Sequence, residues 1–248
     1  MQLAAPPPRL CLRGRYYTTR ACFAPAGDSR DVVRSLATHA LQRWEKAQRR
    51  LLFGLAGCPG SGKSTLAAAV VAELNERSGL PDFAALLPMD GFHLSREQLD
   101  ALPDPKTAHF RRGAPFTFDA QAFVTTVRSV RAGQAISAPG FDHAVGDPVP
   151  GAVQVAESAC LVVVEGNYLC LPHAPWSELP SLLDETWFVD VTPAIAMERI
   201  VQRHMRVWNI SREAALVRAS SDLLNAQLVW DTKPTTQGIV LVPNQTRA

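Results

Sequence analysis

The apolar positions of this 248-residue chain follow two rhythms. Mostly apolar runs near 51–56, 83–88, 160–165, 185–191 and 238–243 predict short strands buried on both faces. Between them, helical spacing and composition predict helices near 63–77, 95–101, 118–131, 193–206 and 211–224. A further helix is expected over roughly 30–48, capped by Asp28 or Ser29. Its Val32, Val33, Leu36, Ala40, Leu41 and Trp44 share one face, which suits packing on the core as an added layer. Strands alternating with helices predict an α/β fold around a parallel sheet covered on both faces. Ligands of such a sheet belong at the carboxyl ends of its strands. The stretches 102–118 and 132–159, rich in Pro, Gly and Asp, are expected to fold over that side as loops or a short hairpin.

The first strand and the helix after it are joined by Gly-Cys-Pro-Gly-Ser-Gly-Lys-Ser-Thr, residues 57–65. Gly57 and Gly62 frame four residues and are followed by Lys63 and Ser64, which is the spacing of a phosphate-binding P-loop. Gly57, Gly60 and Gly62 allow a tight turn that aims backbone N–H groups at phosphate oxygens, and the next helix adds the positive end of its dipole. The expected cradle is therefore Gly57, Cys58, Pro59, Gly60, Ser61 and Gly62, continuing through Lys63 and Ser64 to Thr65. Lys63 is expected to reach the β- and γ-phosphates, and the Ser64 hydroxyl to bind Mg²⁺.

The second strand delivers Asp90-Gly91-Phe92-His93 at its carboxyl end. A carboxylate there faces the phosphates and can take the proton of an attacking hydroxyl; alternatively it makes a turn with Gly91 or caps the next helix. His93 can donate a hydrogen bond to a substrate or fill the pocket wall. The run Leu161–Val164 ends in Glu165, which suits Mg²⁺ held through water or a carboxylate satisfied by loop backbone. Asn167 and Tyr168 line the same rim. The loops carry Arg111, Arg112, Asp119, Asp142 and Asp147, which can clamp an anionic or polyhydroxylated substrate or stand as solvated charges. Arg199 and Arg203, four apart on a predicted helix with Arg206 close by, form either a lid over the phosphates or a solvated basic face.

Composition narrows the picture. The formal net charge is +2, but residues 1–50 hold ten Lys/Arg against three Asp/Glu and the remainder 15 against 20. The mildly acidic body argues against a nucleic-acid surface. No apolar stretch approaches 18 residues, so no transmembrane helix and no membrane partner are expected. The five cysteines lack framework spacing; Cys58, Cys160 and Cys170 read as buried thiols of a reducing compartment. Residues 1–27, with four arginines and no acid, suit a disordered tail or a transit peptide. The expected domain therefore spans 28–248, in a cytoplasmic protein or, with a transit peptide, a mitochondrial or plastid one. A homodimer is compatible with the chain.

The motifs GCPGSGKST (57–65), PMDGFHL (88–94), RRGAPFTFD (111–119), PGFDHAVGDPV (139–149), VVVEGNYL (162–169) and the Arg203-His204 pair followed by SREAALVRASSDLLNA resemble one family. This is the uridine kinase, pantothenate kinase and phosphoribulokinase superfamily of P-loop small-molecule kinases, nearest to its fructose-transport-system-kinase or uridine-kinase-like branch. The resemblance spans about 50–243 and implies a P-loop NTPase fold with a central five-stranded parallel sheet and a helical lid. It implies Mg·ATP as phosphoryl donor and a small hydroxylated acceptor such as fructose, uridine or a pantothenate-like alcohol. It assigns Asp90 as general base, Glu165 to the metal and Arg203 to the lid, and it brings Arg111 or Arg112 and Asp142 to the acceptor. The family's lid usually has a glycine shortly after the Arg-His pair; here Asn209 can supply the turn, since Asn tolerates positive φ.

Two other functions compete. A P-loop GTPase or metallochaperone would carry a guanine-reading Asn-Lys-x-Asp after a late strand, and Thr232-Lys-Pro-Thr lacks the acid. A catalytically silent nucleotide-binding regulator would not need Lys63, Ser64, Asp90 and Glu165 together.

Overall fold

The computed structural model describes residues 29–142, 145–233 and 239–243. The basic extension 1–27, the cap Asp28 and His143 lie outside the described residues. Five strands, β1 (Leu51–Gly57), β2 (Ala84–Pro88), β5 (Leu161–Gly166), β6 (Glu185–Asp190) and β7 (Ile239–Pro243), form one sheet in the order β2-β5-β1-β6-β7. All its pairings are parallel. Every residue of β1 and β5 is buried, which is why these segments read as unbroken apolar runs. The stretch 132–159 is an antiparallel hairpin of β3 (Ile136–Asp142) and β4 (Asp147–Val155), closer to the second of the two expectations.

Helix α2 (Lys63–Ser78) packs on the sheet, α5 (Ala120–Arg131) lies against β3, and α7 (Pro193–Trp208) packs mainly against the helices that follow it. The α5 stripe of Phe123, Val124, Val127 and Val130 is fully buried, and Asp119 caps the helix by accepting from the Ala122 N–H at 2.9 Å. Asn209 ends α7 in the left-handed conformation at φ 48°. Within 102–118, expected as loop, a short helix α4 (Pro105–Phe110) follows α3 (Arg96–Asp100). The single helix expected over 211–224 is two, α8 (Arg212–Arg218) and α9 (Ser220–Asp231), so its apolar positions serve two axes. A one-turn α6 (Leu179–Leu182) precedes β6.

The N-terminal helix α1 (Ser29–Ala47) packs on the core as expected. Leu36, Ala37 and Ala40 are fully buried, and Trp44 meets Phe83 edge to face at 4.9 Å between centroids. Polar ties add to this. His39 Nε2 donates to Glu185 at 2.9 Å, and Arg43 donates to the same carboxylate at 2.8 Å. Among the described residues no helix is long and apolar enough to cross a membrane.

At the edge of the sheet opposite the P-loop, Arg50 donates to five backbone carbonyls. They belong to Val130 at 3.0 Å, Gln134 at 3.1 Å, Ala156 at 2.9 Å, Glu157 at 2.8 Å and Ala159 at 2.9 Å. One guanidinium thus joins the end of α5 to the loop before β5, a task its planar fork suits and a lysine ammonium does not. Arg50→Ala is expected to lower stability by about 2–4 kcal/mol, since it strands several partly buried acceptors. Arg50→Lys should recover less than half of that loss; chemical denaturation read against the unsubstituted chain checks both values.

Candidate functional site

The registers place three carboxyl ends side by side. Glu165 pairs in register with Leu55 of β1 and with Pro88 of β2, and Gly57 pairs with Val189 of β6. The P-loop leaves β1 at this level. Gly60 and Gly62 take φ of 79° and 87°, conformations closed to most side chains, and the Ser61 N–H donates to the Cys58 carbonyl at 3.0 Å. A Cβ at Gly60 would stand 2.3 Å from the Ala196 carbonyl, so the first turn of α7 rests on the loop itself. The Cys58 thiol turns away from the cleft and donates to the Ala226 carbonyl of α9 at 3.3 Å. Burial pushes its pKa up to about 11, so it stays a neutral packing group.

Lys63 and Ser64 open α2. Lys63 is buried, with Nζ 3.5 Å from Glu165 Oε1; the Ser64 hydroxyl donates to the same oxygen at 3.3 Å. Glu165 is 2% exposed, and burial raises its pKa, an effect that Lys63 opposes and the nearby Asp90 charge reinforces. Such a carboxylate is short of positive charge. Among the described residues no group of three His, Cys, Asp or Glu forms a metal cage. Ser64 and Glu165 nonetheless fit Mg²⁺, which takes hard oxygen donors, keeps several waters and binds through one or two carboxylates plus phosphate.

Asp90 sits in the 3-10 turn Met89–Phe92 that follows β2. Gly91 is required there by space: a Cβ would lie 1.8 Å from the Pro139 carbonyl of β3. His93 donates from Nδ1 to the Asp90 carbonyl at 2.7 Å, and its ring lies against Phe118 and Phe141 with centroids 4.0 and 4.6 Å away. It braces the turn that presents Asp90. From the other side, Arg199 of α7 donates to the Ser61 carbonyl at 3.2 Å. Asp90, Arg199 and the exposed Arg203 line one cleft of about 280 Å³ together with Gly60, Gly62, Lys63, Ser64 and Thr65. Arg206 is exposed one turn farther on and is not in this lining.

The remaining expected substrate residues form a second group, with polar atoms engaged inside the chain. Arg112 donates to the Leu94 carbonyl and to Asp147, each at 3.0 Å. Asp147 also accepts from Arg96; partial burial opposes its ionisation, yet these hydrogen bonds hold its carboxyl down to about 2. Tyr168 is buried and donates to the Gly113 carbonyl at 2.5 Å. Asp142, at the exposed end of β3, accepts from the Val145 N–H at 3.4 Å and so shapes the hairpin turn. Arg111 donates to Asn225 Oδ1 at 3.3 Å, which brings the 111–119 loop to α9. The buried Arg111 Nε and Asn167 Oδ1 have no hydrogen-bond partner among the described residues.

Asp222 of α9 is a partly buried carboxylate near the cleft that the sequence did not single out. Burial raises its pKa, and His204, Arg203, Arg218 and Lys63 all act to lower it, so its surroundings are cationic. Its charge and those of Arg111 and Asp90 also act on the Tyr168 hydroxyl, whose pKa burial raises. The available signal was Ser221, Asp222 and Asn225, polar positions on the inner side of an otherwise apolar helix; Ser221 is 7% and Asn225 1% exposed.

This arrangement has relatives. Residues 52–217 match the model of the phosphoribulokinase / uridine kinase family. The chain is 38% identical over 222 residues to a "Putative uridine kinase" of Schizosaccharomyces pombe, covering 88% of this chain and 92% of the relative. It is 42% identical over 159 residues to an ATP-dependent kinase-like protein of Aspergillus versicolor, covering 61% of this chain and 92% of the relative. Among solved structures, a "putative fructose transport system kinase" from Silicibacter sp. TM1040 superposes with a TM-score of 0.74 at 32% identity, over 84% of this chain and 98% of that one. The chain therefore belongs to the phosphoribulokinase / uridine kinase family, and it is an ATP-dependent P-loop kinase.

Proposed function

We propose that this kinase transfers the terminal phosphoryl group of Mg·ATP to a hydroxyl of a small polyhydroxylated metabolite, with Asp90 as general base. One observation carries the proposal: the Asp90 carboxylate lines the same 280 Å³ cleft as Lys63, Ser64 and the two α7 arginines. A hydroxyl held between Asp90 and a phosphate on the P-loop would lie in line for displacement. As its oxygen forms the new bond to phosphorus, its proton passes to Asp90 and the bond to the β-phosphate oxygen breaks, leaving ADP and the phosphorylated acceptor.

The cleft residues divide the work. The P-loop N–H groups and Lys63 hold the phosphates, and Arg203 moves over them with α7 to balance charge in the transition state. Arg199, already fixed to the P-loop carbonyl of Ser61, orients that helix. Ser64 and Glu165 would hold Mg²⁺, Glu165 through water; the ion neutralises the charge on the phosphate oxygens when bound. On the acceptor side, the partnerless Arg111 Nε and Asn167 Oδ1 offer a donor and an acceptor to sugar-type hydroxyls. His93, Arg112, Asp142 and Tyr168 shape that wall. The names carried by relatives favour a sugar such as fructose or a nucleoside such as uridine, with a pantothenate-like alcohol as the third class.

Asp90→Asn is expected to lower kcat by about 10²–10⁴-fold while ATP affinity changes little. Steady-state ADP release with a separate nucleotide titration measures the two; turnover within tenfold of the unsubstituted chain would remove Asp90 as the base. In a panel of sugars, nucleosides and pantothenate, one acceptor class should stimulate ADP release from Mg·ATP, and Lys63→Ala should abolish that stimulation. Equal stimulation in the Lys63→Ala chain would contradict the assigned phosphate site.

A further inference from the structure

We propose that the first turn of α1 forms a wall of the site for the base and ribose of the donor nucleotide, so that a helix outside the matched family stretch sets nucleotide affinity. The proposal rests on the kinase reading above. A second cavity, of about 640 Å³, lies between α1 and α2 and shares Gly62, Thr65 and Arg199 with the phosphate cleft. Its volume falls in the usual range for small-molecule sites, roughly 300–1,000 Å³.

The direction of the nucleotide follows from the cleft. With phosphates on Lys63 and Ser64 and the terminal one turned to Asp90, the nucleoside must leave at the end away from Asp90. That end is Thr65 and Arg199, where the second cavity opens. From Thr65 the groove follows α2 as far as Glu76, about 16 Å at the rise of an α-helix. Leu66, Ala69 and Ala72 give it a shallow apolar floor on which a planar base can lie. Arg199 stands at its mouth, where a guanidinium can stack on a ring. Glu73 and Glu76 supply carboxylates that can accept from ribose hydroxyls or an exocyclic amine, although Glu73 is also paired with Arg77 at 2.6 Å.

The opposite wall is Arg30, Val33 and Arg34 of α1. The rest of the helix holds this turn in place through buried Leu36, Ala37 and Ala40, the His39–Glu185 pair, and an Arg77 hydrogen bond to Thr38 at 2.7 Å. The wall precedes residue 52, where the family match begins.

The test compares ATP with tripolyphosphate, which has phosphates but no base or ribose, by calorimetric titration of the full chain. Arg30→Ala with Arg34→Ala removes the cationic wall, and Ala72→Trp fills the groove from the α2 side; thermal unfolding establishes that each variant is folded. Both variants should weaken ATP about tenfold or more, equivalent to about 1.4 kcal/mol, with tripolyphosphate within about threefold of the unsubstituted chain. ATP affinity unchanged in both variants overturns the proposal. Equal losses for the two ligands also overturn it, because the arginines would then act on phosphate charge alone. An unsubstituted chain that binds neither ligand overturns this proposal together with the kinase reading, whereas an inactive Asp90→Asn chain with intact groove effects leaves both standing.

Discussion

A buried carboxylate at the carboxyl end of a parallel strand, Glu165, sets the terms for everything around it. At 2% exposure it cannot be solvated, and the backbone of its own strand is already paired on both sides. Its charge must be met from the carboxyl edge, and α2 supplies the means: Lys63 and Ser64 both turn to the same oxygen. The match is incomplete, because Asp90 adds a second negative charge to the same neighbourhood. Two carboxylates facing one lysine make a place that favours further cations and disfavours bare phosphate unless cations come with it. That asymmetry is suited to a metal–nucleotide complex.

Helix α7 obeys a second constraint, that of close approach. The first turn of α7 packs so tightly on the P-loop that only glycine fits at position 60, and Arg199 repeats the contact through the Ser61 carbonyl. One end of the helix is therefore tied to the phosphate cradle. The other end stops at Asn209 in a left-handed turn and doubles back into α8 and α9, where Asp222 stands among His204, Arg203 and Arg218. Motion of α7 about its tied end would move Arg203 more than Arg199, which fits the proposed closing role of Arg203 and anchoring role of Arg199.

Legibility in the sequence followed how local each signal is. The strands were readable because burial on both faces makes apolar runs, and the P-loop was readable because its function needs fixed types at fixed spacing. The partition of 211–224 into α8 and α9 was not, since the break at Ala219 carries no proline, glycine or cap that would mark it. Arg50 carries no motif that would mark its role; its five carbonyl partners come from segments 80 to 109 residues away. Asp222 and Asn225 were likewise hidden, because a polar position on a helix acquires meaning only when the opposing surface is known.

The same distinction explains why the reaction is easier to read than the substrate. The donor end is nearly one segment: residues 57–65 shape the phosphate cradle, and a single strand end adds Glu165. The proposed acceptor wall draws on the turn after β2, the 111–119 loop, the β3–β4 hairpin, the end of β5 and α9. Its residues are largely committed to one another: Arg112 to Asp147, Tyr168 to Gly113, His93 to the Asp90 carbonyl. As proposed, such a wall would select by the shape these mutual bonds enforce and by the polar atoms left over among the described residues, Arg111 Nε, Arg112 Nε and Asn167 Oδ1. On that proposal a substitution at Asp147 would alter acceptor choice more than the chemistry, because Asp147 of the hairpin is paired with both Arg96 and Arg112.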